Sequence, residues 1–137
     1  MAKKWRGPEL IKEIDRALDK GLARFLILTQ GKLSAGSPVD TGRMASSWMI
    51  GRDNPNRSQP PEREGPEAVT ITKPNFEITF KGDYYISSSL PYSERVCFDP
   101  KYAKGGRRGG AAWFTNIATH VKKDADRAFD FYLRKIR

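Results

Sequence analysis

A long amphipathic helix pattern near the start of the chain limits its possible folds more than any other feature. Apolar residues recur at three- and four-residue steps across residues 10–26, and charged residues occupy the opposite face. Pro8 suits the first turn of a helix, which should end at about Lys32 or Leu33, before Gly36 and Pro38. Residues 25–28 are all apolar, so the helix is apolar on more than one side there. Such a helix is either deeply buried or partly covered by a partner.

Four short segments after this helix have the pattern of β-strands. They are residues 44–50, 68–72, 76–81 and 84–88. Apolar and polar residues alternate without interruption from Phe76 to Lys81, which is the clearest strand pattern in the chain. Short turns connect the last three segments, as is typical of an antiparallel sheet. The sequence therefore predicts a four-stranded antiparallel β-sheet.

The last part of the chain returns to helical spacing, from about Ala112 to Ile136. A sheet with one apolar face needs a cover, which two helices can supply. We therefore expect an α+β fold in which the four-stranded sheet packs with a long N-terminal and a long C-terminal α-helix. The 137 residues suit a single domain. Two long loops are expected, a proline-rich one at 51–66 and a glycine-rich one at 99–111.

Positive charge is concentrated toward the two ends of the chain. The net charge is +9, and residues 99–137 contain ten Lys and Arg against four Asp and Glu. A basic excess favours a polyanionic partner such as DNA, although it can equally serve solubility. The single cysteine cannot form an internal disulfide, and no secretory leader or membrane-spanning apolar run of roughly 20 residues is found. We expect a soluble cytoplasmic protein that does not associate with membranes.

Asp40-Thr41-Gly42 matches the active-site signature of aspartic proteases, the one enzymatic hypothesis that the motifs raise. Arg43 opposes it, because a cation there would keep Asp40 ionised, whereas such enzymes share one proton between two aspartates. The same residues suit a helix-to-strand turn, in which Asp40 accepts backbone N–H bonds and Gly42 provides a positive φ. We prefer this structural turn, formed by Pro38, Asp40, Thr41, Gly42 and Arg43.

No other motif indicates catalysis or metal binding. His120 is the only histidine and Cys97 the only cysteine, so one chain cannot assemble a His/Cys metal cluster. We interpret His120 as a half-exposed surface residue and Cys97 as a small buried apolar residue, although a Cys–His pair remains conceivable. Ser87, Ser88 and Ser89 lack the context of a nucleophile elbow. We therefore predict a non-enzymatic protein with no catalytic residues, no metal and no cofactor.

Four basic residues lie in the glycine-rich loop, namely Lys101, Lys104, Arg107 and Arg108. This loop lacks the Lys-Ser/Thr ending of nucleotide-binding loops, so it does not indicate a nucleotide site. Cations on a glycine-rich loop suit non-specific contact with the DNA backbone, and an ordinary basic loop is the alternative.

Two phrases of the sequence resemble a known family of phage proteins. The first is Ser-Pro-Val-Asp-Thr-Gly-Arg at residues 37–43, followed by Met44, two serines and Trp48. The second runs from Tyr85 to Arg95 and contains Leu-Pro-Tyr-Ser. In this order, after a long first helix, they resemble the tailed-phage neck and tail-completion family. That family includes head–tail joining proteins and minor tail proteins of the Z type.

The resemblance implies a structural virion protein at the head–tail junction. Such a subunit forms a homo-oligomeric ring, commonly a hexamer, between the connector on the head side and the tail proteins, and it leaves a central channel for DNA. It is made in the host cytoplasm during assembly. On this hypothesis Lys101, Lys104, Arg107 and Arg108 face the channel or an adjacent ring, and no catalytic residue is implied. The alternative from another class is a basic, non-specific DNA-binding module.

Overall fold

The computed structural model describes residues 5–37, 43–60, 69–91, 93–98 and 113–136. Helices dominate these residues, and two strands form a small sheet. The elements in chain order are α1 (Gly7–Gly36), α2 (Arg43–Ser46), β1 (Trp48–Arg52), β2 (Tyr84–Ser88), α3 (Ser93–Phe98), α4 (Trp113–Thr119) and α5 (Val121–Leu133).

Helix α1 is the longest element, with 30 residues. Proline stands near its start, and the N–H of Leu10 bonds to the carbonyl of Arg6. At its end the N–H of Ser37 bonds to the carbonyls of Leu33 and Ser34, so the helix extends three residues beyond the predicted end. The side chain of Ser37 adds a further bond to the Leu33 carbonyl, which satisfies the last turn without a glycine cap.

The expected C-terminal helix is present as two consecutive helices. Helix α4 ends at Thr119 and α5 begins at Val121, with His120 between them. Helix α5 packs antiparallel along α1, because residues 124–131 line a groove with residues 24–32, and residues 132–136 line one with residues 13–20. The pairing thus runs the full length of α5.

The predicted four-stranded sheet is wrong. Among the described residues the sheet has two antiparallel strands, β1 and β2, paired from Trp48 opposite Ser88 to Arg52 opposite Tyr84. The predicted strand at 44–50 begins later, because residues 43–46 form the short helix α2. Neither residues 69–72 nor residues 76–81 form a strand. The chain is therefore α+β with a smaller sheet than expected.

Side chains bond to three backbone N–H groups within residues 69–83. The hydroxyl of Ser46 accepts the N–H of Thr70 at 2.9 Å, and the hydroxyl of Tyr84 accepts the N–H of Thr79 at 2.8 Å. Asp19 accepts the N–H of Phe80 at 3.0 Å. These three backbone groups are therefore satisfied without a sheet ladder.

The alternation in residues 76–80 still reports which side chains face the interior. Ile78 is buried, Phe76 and Phe80 are half-buried, and Glu77 is exposed. The segment therefore has the burial pattern of a strand without the hydrogen bonds of one.

Two apolar clusters form the core between α1, the sheet and α4. One contains Leu33, Met44, Trp48, Leu90 and Trp113, and the other contains Leu26, Ile50 and Ile78. Ile86 of β2 packs against both clusters, so the small sheet joins them.

The two long loops are described only in part. Residues 51 and 52 belong to β1, and residues 53–60 have no regular structure. The rest of the predicted 51–66 loop, and all of the 99–111 loop, lie outside the described residues.

Candidate functional site

Two residues that flank the predicted turn motif, Ser37 and Trp48, are bonded to each other. Pro38, Asp40, Thr41 and Gly42 lie outside the described residues, and Arg43 is the first residue of α2. Just before the motif, the hydroxyl of the fully buried Ser37 accepts the indole N–H of Trp48 at 2.9 Å. This bond ties the end of α1 to the start of β1.

The two serines that follow the motif, Ser46 and Ser47, make structural hydrogen bonds. Ser47 is fully buried; its hydroxyl bonds to the Met44 carbonyl at 2.7 Å and to the Ser88 hydroxyl at 2.7 Å. Ser46 accepts the N–H of Thr70. We name Ser37, Met44, Ser46, Ser47 and Trp48 the corner; it fixes the direction of α1 relative to the sheet.

An aromatic group packs on the corner. The ring of Trp48 stacks on Phe114 with centroids 6.1 Å apart and meets Trp113 edge-on at 6.3 Å. Phe98 meets Phe114 edge-on at 5.2 Å and is 64% exposed. The corner is thus covered by α4 on one side, with an apolar side chain left at the surface.

The four loop cations predicted to contact DNA, Lys101, Lys104, Arg107 and Arg108, lie outside the described residues.

A second basic surface lies in the groove between α1 and α5, which we name the helix seam. Its two stretches have volumes of about 400 and 340 Å³. The charged side chains that line it are the cations Arg16, Lys20, Arg24, Lys32, Arg127 and Lys135 and the carboxylates Glu13 and Asp124.

Both carboxylates of the seam already have cationic partners. Asp124 pairs with Lys32 at 2.6 Å, and Glu13 pairs with Arg6 at 3.5 Å. Among the described residues, Arg16, Lys20 and Arg127 form no ion pair within 4.0 Å, although each is exposed. Three cations of the seam are therefore free to meet an external anion.

Two further cations of the seam are held against one aromatic ring. The guanidinium of Arg24 and the ammonium of Lys135 each lie 4.2 Å from the ring centroid of Phe131. A cation over an aromatic face is attracted by the ring quadrupole and keeps its N–H donors. Arg24 and Lys135 thus have restricted positions and remaining hydrogen-bonding capacity.

Apolar side chains are exposed in the middle of α1. Ile27 is 48% exposed and Leu28 is 51% exposed. Ile71 is 49% exposed, and its neighbour Thr72 is bonded to Gln30 of α1, three residues after Ile27. The two backbone segments that carry Ile27 and Ile71 therefore lie side by side, and we name these two residues the aliphatic pair.

The side chains considered for catalysis, Cys97, His120 and Ser89, lie in surroundings that do not indicate a catalytic site. Burial raises the pKa of the Cys97 thiol to about 11, which keeps it protonated at neutral pH. His120 is exposed, and its Nδ1 lies 2.7 Å from the Asn116 carbonyl of its own turn. Ser89 donates to the carbonyls of Arg57 and Ser58. Within the described ranges, no three His, Cys, Asp or Glu residues are grouped to hold a metal ion.

No described helix is both long enough and apolar enough to cross a bilayer. No protein-family model, no curated protein and no solved structure matches this chain.

Sequence reasoning missed the helix seam, although the contribution of α1 to it can be recognised in the sequence. Arg16, Lys20 and Arg24 follow one another at four-residue steps, which places them along one ridge of a helix. The other half depends on α5 packing antiparallel on α1, which brings Arg127 and Lys135 to the same groove. No local pattern encodes that pairing.

Proposed function

We propose that the chain is a non-enzymatic structural subunit of a tailed bacteriophage, which joins copies of itself in a ring around a DNA channel at the head–tail junction. The observation that carries this proposal is the exposed aliphatic surface in the middle of α1. The helix has the sequence pattern of an element that a partner partly covers. Ile71, on the segment beside it, follows Thr70, which is bonded to Ser46 of the corner.

The aliphatic pair is costly to leave in water. Fully burying one isoleucine or leucine side chain is worth about 1.5 to 3 kcal/mol. Ile27 and Ile71 each keep about half of their surface exposed, at 48% and 49%. Exposed apolar side chains on neighbouring segments of a soluble chain suit a contact with another protein. A second copy of the chain, placed by ring symmetry, is the partner that the proposal requires.

The corner supports a protein that works by its shape. Ser37 and Ser47 are fully buried and hydrogen-bonded, and the Trp48 indole links the end of α1 to β1. Satisfied buried polar groups fix one arrangement, because any other would leave them unpaired. A rigid angle between helix and sheet is what a subunit needs if its neighbours are to close into a ring.

A basic, non-specific DNA-binding module is the second candidate, and the helix seam favours it. Such a module would bind DNA as a monomer or dimer, with an affinity that falls steeply as salt rises. The ring subunit needs self-association first, so the two candidates differ in the native mass of the chain.

The direct test of the proposal is to locate the chain in purified phage particles. In cells infected by a tailed phage that encodes the chain, we expect purified particles to contain it at a fixed copy number. An antibody against the chain should label the head–tail junction of these particles. Deletion of the chain should leave heads and tails that do not join. Particles that contain none of it and remain infectious would refute the proposal.

An Asp40→Asn variant separates the structural role from the protease hypothesis. The structural subunit should still complete particles when Asp40 is amidated, because an amide oxygen can also accept backbone N–H bonds. A protease would lose peptide hydrolysis and any processing that depends on it. An Asp40→Asn chain that folds, enters particles and leaves one virion protein unprocessed would favour the enzyme.

A further inference from the structure

We propose that the helix seam binds the phosphate backbone of double-stranded DNA. This inference concerns the described helices and not the glycine-rich loop, and it holds whether the chain acts as a ring subunit or alone. It rests on the number of cations in the seam, on their spacing, and on their lack of internal partners.

The seam carries a clear positive excess. Six cationic side chains face two carboxylates, and both carboxylates are already paired, with Lys32 and with Arg6. Cations that release counterions from DNA supply most of non-specific affinity. Three of the six seam cations are arginines, and the planar fork of arginine suits the oxygens of a phosphate.

The spacing indicates an extended anion. Arg16, Lys20 and Arg24 stand four residues apart on α1, which separates successive cations by about 6 Å along the helix axis. From Arg16 to Lys32 the seam extends about 24 Å, or about seven base pairs of duplex at 3.4 Å per step. A single phosphate or a mononucleotide would contact only a fraction of this length.

The Phe131 ring restricts the positions of two cations, Arg24 and Lys135, that would contact DNA phosphates. Arg24 comes from α1 and Lys135 follows α5, yet both are held 4.2 Å from the same ring centroid. Restricting a long side chain before binding lowers the entropy lost when it meets a phosphate. Phe131 lines the groove at residues 24–32, and Lys135 lines the groove at residues 13–20. The contact of Lys135 with the Phe131 ring therefore joins the two stretches of the seam.

The test compares two triple variants of equal charge. Arg16→Gln, Lys20→Gln and Arg127→Gln remove the three unpaired seam cations. Lys12→Gln, Lys122→Gln and Lys123→Gln remove three exposed cations of the same two helices that do not line the seam. Glutamine keeps high helix propensity, so both variants should fold; circular dichroism and thermal melting check this.

Binding is measured by fluorescence anisotropy on a duplex of about 20 base pairs, from about 50 to about 200 mM salt. We expect the seam variant to bind at least about tenfold more weakly at the lowest salt, with a salt slope lower by about three, since each lost phosphate contact removes about one. The control variant should keep the slope of the unsubstituted chain. Oligomeric state is measured in the same samples, so loss of the ring and loss of DNA binding are read separately.

Equal weakening of both variants would show that net charge, and not the seam, determines binding, and it would overturn the proposal. So would an unchanged seam variant, or a seam variant that loses binding to anionic phospholipid vesicles while DNA binding is unaltered. Tighter binding to single-stranded RNA than to duplex DNA would reject the choice of ligand.

Discussion

Gln30 shows how much of this fold depends on single polar side chains. It is 1% exposed, and its amide donates to the Trp48 carbonyl at 2.8 Å and to the Thr72 carbonyl at 2.9 Å. One residue of α1 thus holds both the start of β1 and the irregular segment after it. Nothing in the helical periodicity distinguishes this glutamine from a surface residue, so its role becomes visible only in the structure.

Removal of the Gln30 amide should lower the free energy of unfolding. Gln30→Met keeps the length and helix propensity of the side chain but leaves two carbonyls without their donor. A buried group left unsatisfied costs about 1 to 3 kcal/mol. The Trp48 carbonyl is buried, whereas Thr72 is an exposed residue, so we expect about 1 to 3 kcal/mol less stability in urea denaturation. Gln59→Met, at an exposed glutamine, is the control and should change stability by less than about 0.5 kcal/mol. Equal effects would show that Gln30 is not the link described.

Cys97 should be an unreactive thiol at neutral pH. Burial raises its pKa from 9.0 to about 11, and only the thiolate reacts with iodoacetamide. The folded chain keeps this proton over a range in which the unfolded chain loses it. The protonated thiol therefore adds stability below pH 9.0 that is lost as the pH rises toward 11. We expect slow labelling of the native chain at pH 8 and fast labelling in denaturant. Fast labelling of the native chain would contradict the burial.

At the scale of elements, the close packing of α1 and α5 depends on a glycine. A Cβ at Gly21 would lie 2.6 Å from a ring carbon of Phe129 and 3.0 Å from its Cα. Gly31, ten residues later in the same helix, has no neighbouring atom within 4 Å of that position. The same substitution at these two sites therefore separates packing from helix propensity.

Gly31→Ala should stabilise the chain by about 1 kcal/mol, because alanine favours the helix and meets open space. Gly21→Ala gains the same propensity but overpacks the helix pair, which typically costs 1 to 3 kcal/mol. We expect a net loss of up to about 2 kcal/mol, measured by thermal and urea unfolding of both variants. A Gly21→Ala chain as stable as the Gly31→Ala chain would show that α5 does not pack as described.

The two long helical regions could be predicted from the sequence, whereas the short helix α2, which falls inside a predicted strand, and the extent of the sheet could not. Helical periodicity depends on local spacing, so α1 was located to within three residues at its end. Alternation at 76–80 correctly indicated that Ile78 is buried. It could not indicate that Asp19 and Tyr84 would take the backbone N–H groups of that segment, since those contacts join distant parts of the chain.

The site was predictable to a similar degree. The phrase that begins at Ser37 predicted a helix-to-strand turn, which stays a prediction because residues 38–42 lie outside the described part of the chain. The buried bond from Trp48 to Ser37 connects residues on either side of them. The basic row on α1 could be read from four-residue spacing. The contribution of α5 to the same groove could not, because it depends on how two helices pack.

At the scale of the whole molecule, two surfaces remain to be occupied. The helix seam has cations without internal partners, and the aliphatic pair has apolar surface without internal cover. The proposed ring assigns each to a different partner, since DNA phosphates would meet the seam and a second copy would meet the aliphatic pair.

A charge on the aliphatic pair should weaken self-association without unfolding the chain. Ile27→Glu places a carboxylate at a half-exposed site, where its cost to the monomer is small. Ile11→Glu is the matched control, because Ile11 is 61% exposed and lies sixteen residues earlier, nearly on the opposite side of α1. In analytical ultracentrifugation, we expect Ile27→Glu to raise the dissociation constant about tenfold or more and Ile11→Glu to leave it nearly unchanged. The reverse order would place the interface elsewhere.

The native mass of the purified chain tests the central claim most directly. Native mass spectrometry, over a range of concentrations, should show a discrete closed oligomer of the 15.5 kDa chain. A sixfold ring would contain six copies, and the fraction of monomer should increase as the concentration falls. A chain that stays monomeric at every concentration, while it binds duplex DNA through the helix seam, would contradict the ring and establish the DNA-binding module in its place.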